Sequence, residues 1–251
     1  MITVICGVLF LLFLILVIFF YTLCTRRKKL ERVAIYTCFF GSDNNCGFVI
    51  NEPTLKCDCY YFTNNINLLN KLKSSKWIPI FIDIPVKNDL TLDAFDAKKL
   101  KACPQDFNVL NKYDITIYMD SKLKLKENIY ELLDEFDKSD CLYLIPKHPF
   151  LYDVWGEYNE SLKQPRYEVE KEKYKQYINK KLEQGYKDKV DNHYTTCFII
   201  RKMTNKTNEI NKIWYENITE CGIECQISFF FIQQMFDNFI CHVKPEFYYS
   251  Y

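Results

Sequence analysis

The chain has 251 residues, with 33 Lys and Arg against 32 Asp and Glu and a formal net charge of +1. That balance provides no extended field for capturing a polyanion, so nucleic acid is not an expected partner. Residues 32 to 251 are enough for one α/β domain with a sizeable core.

Ile2 to Leu23 is almost unbroken Ile, Leu, Val and Phe without a charge, long enough to cross a bilayer's hydrocarbon core. Arg26, Arg27, Lys28 and Lys29 follow it. A cleaved signal peptide would carry its basic residues first and end at a small-residue cleavage site, and this stretch does neither. The expected organisation is therefore a transmembrane anchor (1–24, in the membrane through residues 2–23), a basic juxtamembrane segment (25–31) and one functional domain (32–251). The positive-inside rule puts that domain in the cytoplasm. Sequons at Asn159, Asn205 and Asn217 leave the secretory lumen open as the alternative.

Beyond the anchor, strand and helix signals alternate, which indicates an α/β layered fold. Arg32 to Phe40 reads as a strand closed by the turn residues Gly41 to Asn45, and Cys59 to Thr63 and Trp77 to Asp83 as two more. Asp93 to Cys103 has a helical spacing that stops at Pro104. Tyr113 to Leu125 runs an apolar strand into Asp120, at the end of a strand where an open α/β sheet keeps its ligand crevice. Glu127 to Asp137 is a helix and Cys141 to Ile145 a strand. Residues 146 to 166 lack a period and read as an ordered loop. Tyr167 to Gln184 is a charged amphipathic helix ending at Gly185. Thr195 to Arg201 is a strand, Asn208 to Asn217 and Ile223 to Met235 are helices, and Phe239 to Val243 is the last strand.

Cys6 and Cys24 belong to the anchor, and the other ten of the twelve cysteines are scattered without the paired C-x2-C spacing of a zinc site. Most are expected to be small buried apolar residues, with pairing open to some of them if the domain is lumenal.

Four groups at strand ends could carry chemistry. Thr37, Gly41 and Asp43 sit where a base or ribose binds in doubly wound sheets, although a polar turn has the same composition. Lys98 and Lys101, with Lys99 between them, could neutralise a diphosphate or simply be solvated. The stretch from Lys147 to Glu160 holds His148, Pro149, Asp153, Trp155, Glu157 and Glu160. An indole offers a flat face to a sugar, and carboxylates can orient acceptor hydroxyls or act as a base. Glu224, Cys225, Gln226 and Ser228 open a helix, and His242 lies near the last strand as a candidate imidazole ligand. Asp120, in a nucleotide-sugar enzyme, would hold Mn2+ or Mg2+ against the donor diphosphate.

Taken in order, these groups resemble the TOD1/MUCI70 glycosyltransferase-like family. The likeness runs from residue 32 to 243 through Thr37, Gly41 and Asp43, the segment YDITIYMDS ending at Asp120 and Ser121, His148 and Pro149 followed by Glu157 and Glu160, and then Tyr177, Gly185, Arg201, Trp214, Tyr215, Gln226, Ser228 and Phe229. The resemblance implies a GT-A-like, Rossmann-like central mixed sheet flanked by helices. It also implies transfer of a sugar from a nucleoside-diphosphate donor, expected to be a UDP-sugar, to a glycan, protein or lipid acceptor. Catalytic residues would be Glu157, Glu160 and Gln226. Donor-binding residues would be Thr37, Gly41, Asp43, Lys98, Lys101, Asp120, Ser121, Lys122 and His148. The metal would lie on Asp120 and His242, as in retaining GT-A enzymes that close on a histidine and a Lys-Pro element like Lys244 and Pro245. Two departures stand out: Glu224 and Cys225 replace an arginine and aspartate before the glutamine, and Lys122 leaves the D-x-D pair of metal carboxylates incomplete. Either the metal is held by Asp120 with His242, or Lys122 replaces some of the cation's charge, or activity is lost; the last outcome is the alternative of a catalytically inactive, membrane-tethered nucleotide-sugar-binding or scaffold protein.

Overall fold

The computed structural model describes residues 12–21, 32–45, 50–125, 129–243 and 248–250. Its strands are β1 (Val33–Phe39), β2 (Asp58–Thr63), β3 (Ile78–Phe81), β4 (Ile115–Met119), β5 (Leu123–Leu125), β6 (Tyr143–Pro146), β7 (Phe198–Lys202), β8 (Ile240–Val243) and β9 (Tyr248–Ser250). Its helices are α1 (Ile66–Leu72), α2 (Leu90–Ala102), α3 (Ile129–Lys138), α4 (Val154–Ser161), α5 (Pro165–Glu168), α6 (Lys171–Glu183), α7 (Asn205–Cys221) and α8 (Cys225–Met235). Seven strands form one sheet in the order β3-β2-β1-β4-β7-β6-β8, and β5 pairs separately with β9. β1 runs parallel to β2 and β4, whereas β7 is antiparallel to both of its neighbours, β4 and β6.

β4 lies at the centre because nothing in ITIYM needs water. Ile115, Ile117 and Met119 pack on one face with Val33, Ile35 and Phe198, and Tyr118 packs on the other with Tyr36 and Ile199. A third apolar cluster, including Val154, Tyr174, Tyr177, Ile227 and Phe231, holds α4, α6 and α8 together beyond the sheet. Arg201, fully buried on β7, donates to the carbonyls of Lys101 at 2.8 Å and Ala102 at 3.0 Å and to Asn211 Oδ1 at 2.9 Å. It thereby satisfies the last carbonyls of α2 and fixes that helix against the sheet.

Most expected elements are present, with local differences. α2 begins at Leu90, earlier than expected, because Asp89 accepts from the amides of Thr91 and Leu92 and starts the helix there. Residues 146 to 166 are not all loop: Asp153 accepts from Gly156 N at 2.7 Å and starts α4. Its period is hidden because the helix is short, contains Gly156 and buries a glutamate. The expected helix over Tyr167 to Gln184 is divided into α5 and α6. α1 was not expected at all.

Residues 12–21 of the expected anchor are helical and exposed. Among the described residues no helix is long and apolar enough to cross a membrane. The rest of the 2–23 stretch, and the boundaries proposed near residues 24 and 31, lie outside the described residues. Cys141 and Cys241 form a disulfide, with Cα atoms 5.9 Å apart, that ties edge strand β8 to the segment entering β6.

Candidate active site

Strand order 3-2-1-4 reverses direction between β1 and β4, so the connections leave the carboxyl ends of these two strands on opposite sides and open a crevice there. A cleft of about 660 Å³ occupies that position. Cys38, Phe39 and Phe40 at the end of β1, Asp120 to Leu123 after β4, and Thr196 and Cys197 entering β7 line its floor.

Two oppositely charged walls face each other over this floor. The cationic wall comes from α2, where Lys98 and Lys101, three residues apart, share one face, together with Lys122 and Arg166. Asp120 follows Tyr118 by two residues, so both side chains point from the sheet toward α2. Tyr118 Oη donates to Asp120 Oδ1 at 2.7 Å, and Lys101 Nζ lies 3.8 Å from the same oxygen and 5.0 Å above the Tyr118 ring. Lys101 is 4% exposed and Asp120 33%. Burial works against the Asp120 charge, but Lys101, Lys98, the Tyr118 hydroxyl and Lys122 together pull its pKa below the ordinary aspartate value. For Lys98, burial is outweighed by Cys225, Glu224 and Asp120, which raise its pKa.

The acidic wall comes from α4 and the start of α8. Glu157 and Glu160 share a face of α4 and line the cleft. Glu157 is buried, and each of its oxygens has a partner: Oε1 accepts from Gln226 Nε2 at 2.8 Å, and Oε2 lies 2.8 Å from His193 Nε2. Gln226 Oε1 in turn accepts from Thr196 N at 3.1 Å. His148 accepts at Nδ1 from the amide of Leu151 at 2.9 Å and stacks on His193 with ring centroids 5.4 Å apart. Burial lowers its pKa, Glu157 opposes that and His193 adds to it, leaving His148 below the usual histidine value. Glu224 caps α8, and burial raises its pKa against the pull of Lys98, with Glu157 adding to the rise.

The structure thus gathers Lys98, Lys101, Asp120, Ser121, Lys122, His148, Glu157, Glu160 and Gln226 into one cleft. Six other candidates lie elsewhere. Thr37 is fully buried inside the sheet. Gly41, at φ +125°, donates to Asn64 and accepts from Asn65, and Asp43 accepts from Asn65 and Asn67, so these two residues build a turn rather than line the cleft. His242 is exposed on edge strand β8, three strands from β4, a separation of roughly 14 Å at ordinary strand spacing. Trp155 packs against Tyr158 within α4 and does not line the cleft, whereas Phe150 is an exposed aromatic that does. Ser228 is buried and accepts from the Trp214 indole at 3.2 Å. His193 was missed because DNHY lies between a helix and a strand without periodicity. Its signal was scarcity, since the chain has three histidines.

These residues are a poor fit to a divalent cation. Asp120 is the one carboxylate at the strand end, its Oδ1 is occupied by Tyr118 and Lys101, and Lys122 stands where a second carboxylate is needed. No group of three or more His, Cys, Asp or Glu suited to a metal occurs among the described residues.

Fold and cleft together define a mixed α/β protein with a polar cleft at its switch point. The chain belongs to the TOD1/MUCI70 family: residues 59–246 match its glycosyltransferase-like domain. No curated protein matches in sequence. Solved structures with a similar fold include mouse xyloside xylosyltransferase 1 in its apo form, with 11% identity, TM-score 0.49 and 85% of each chain covered. The mannosyltransferase Ktr4p from S. cerevisiae has 12% identity and TM-score 0.45, with 88% of this chain and 70% of that one covered. The galactosyltransferase LgtC, in complex with donor and acceptor sugar analogs, has 13% identity and TM-score 0.44, with 86% and 74% covered.

Proposed function

We propose that this protein is a GT-A-type glycosyltransferase that moves a sugar from a nucleoside-diphosphate donor, a UDP-sugar being the first candidate, to an acceptor hydroxyl. The observation that carries this reading is the pair of opposed walls in a glycosyltransferase-like family member: ammonium groups at the carboxyl ends of β1 and β4, and fixed carboxylates across the cleft. Lys98 and Lys101 face the diphosphate and stabilise the charge that builds on the leaving phosphate as the glycosidic bond breaks. Glu157, with Glu160 beside it, receives the acceptor. Its two fixed oxygens orient the hydroxyl and take its proton, and Phe150 offers a flat apolar face to a sugar ring.

Anchoring through residues 2–23 belongs to the same proposal. The basic cluster at 26–29 favours a cytoplasmic domain, whereas the Cys141–Cys241 disulfide favours an oxidising lumen. We place the domain in the lumen, because a disulfide in a reducing compartment would not persist. Asn159 and Asn205 are exposed and available for glycosylation there, while the Asn217 amide is engaged by Tyr177 and Ile213.

The test is release of nucleoside diphosphate from a panel of nucleotide sugars with candidate acceptors, for wild type and Glu157→Gln. Turnover that falls about 100-fold in Glu157→Gln supports the reading. Binding of nucleotide sugar without turnover in the wild type would leave a nucleotide-sugar-binding protein, and absence of binding would remove the donor site altogether.

A further inference from the structure

We propose that the donor diphosphate is bound here without a divalent cation, the Lys101 ammonium on Asp120 standing where the metal would otherwise stand and Lys98 and Lys122 completing the positive charge. This inference rests on the nucleotide-sugar reading of the cleft. It follows from what surrounds Asp120. A metal site at a diphosphate needs oxygen ligands left free to coordinate and a negative surround. Asp120 instead shares Oδ1 between the Tyr118 hydroxyl at 2.7 Å and, at 3.8 Å, a Lys101 ammonium buried against the Tyr118 ring, which leaves Oδ2 as its one other oxygen and puts a cation beside that carboxylate already. A divalent ion on the same carboxylate would sit beside one buried ammonium and a second on the exposed turn at Lys122, with like-charge repulsion from both.

The placement of Lys101 is built in. Its own carbonyl is held by the buried guanidinium of Arg201 at 2.8 Å, and the next carbonyl by the same group at 3.0 Å, so the last turn of α2 cannot withdraw the ammonium from the floor. Asp120 then orients Lys101 instead of coordinating a metal. Of the other acidic side chains of the cleft, Glu157, Glu160 and Glu224 stand on the opposite wall, and Asp93, in the first turn of α2, accepts from Lys87 N at 3.0 Å. His242, the other expected ligand, is on the far edge of the sheet.

The experiment is calorimetric titration of UDP, with GDP and ADP as further probes, into the full-length detergent-solubilised protein in EDTA and in MnCl2 or MgCl2. The expected result is nucleoside diphosphate binding in EDTA with a Kd within about threefold of that in Mn2+. Lys98→Gln should weaken binding about tenfold in both buffers. Lys122 is exposed, so Lys122→Asp should fold normally. It supplies the missing carboxylate and removes a competing charge, so binding by that variant should weaken about tenfold in EDTA and recover in Mn2+. Binding by the wild type only when Mn2+ or Mg2+ is present overturns this inference and leaves the donor reading intact. No binding of any of the three diphosphates under either condition overturns both.

Discussion

His193 Nε2 lies 2.8 Å from Glu157 Oε2, with both side chains almost sealed from solvent. A carboxylate only accepts, so Nε2 carries the proton and the histidine holds the glutamate in one rotamer from behind, leaving its cleft side to the acceptor. His193 is thus a positioning residue. His193→Ala should lower kcat about 100-fold at an unchanged donor KM. His193→Gln, which can still donate, should recover part of that. An equal fall in both variants, or a rise in donor KM alone, would refute the role.

His148 should titrate below 6.5 in the native protein, since burial disfavours its imidazolium. For a base with a depressed folded pKa, the unfolded chain binds the proton first. Stability is therefore fully present above 6.5 and falls as pH drops from 6.5 through the folded pKa. The Glu157 charge pulls the other way, so Glu157→Gln should lower the His148 midpoint further. NMR of the imidazole C2 proton reads both. A midpoint at or above 6.5 contradicts the buried placement.

Arg201→Met should destabilise the fold by about 3 kcal/mol, because it strips donors from two helix-terminal carbonyls and from Asn211 in a dry environment. For a domain of this size that is a fall in Tm of about 10 °C. The same variant should weaken diphosphate binding more than a neutral core substitution of equal stability cost, since Lys101 loses its fixed helix end. Unfolding at the wild-type temperature would show that α2 is held by other contacts.

Reduction of the Cys141–Cys241 disulfide, or Cys141→Ser, should cost about 2–5 kcal/mol, because the bridge joins residues 100 apart in sequence and constrains the unfolded chain. Denaturant melts with and without reductant measure this. A protein purified from an oxidising compartment should show the linked peptides by mass spectrometry, and free thiols at both positions would count against the lumenal placement.

The sequence by itself determined the layered α/β class, the buried central strand, and Asp120 at its end, because these follow from local patterns: alternation, an apolar run and a terminating acid. It also located the lysine pair on α2, since charges three residues apart on a helix share a face wherever the helix goes, and it marked the acidic stretch around Glu157 by composition, although as a loop and not as a helix. What it left undecided were relationships between distant segments. Lys101 meets Asp120 and Glu157 meets His193 only because strand order reverses at β1 and β4 and an antiparallel β7 brings residues 193 to 197 to the same floor. The turn residues Gly41 and Asp43 and the imidazole of His242 had suitable chemistry, but the asparagine-bonded turn and the edge of the sheet took them out of the cleft. Side-chain type is a local property, whereas its charge environment is set by whatever the fold packs against it, and here that environment put Asp120 beside a buried lysine.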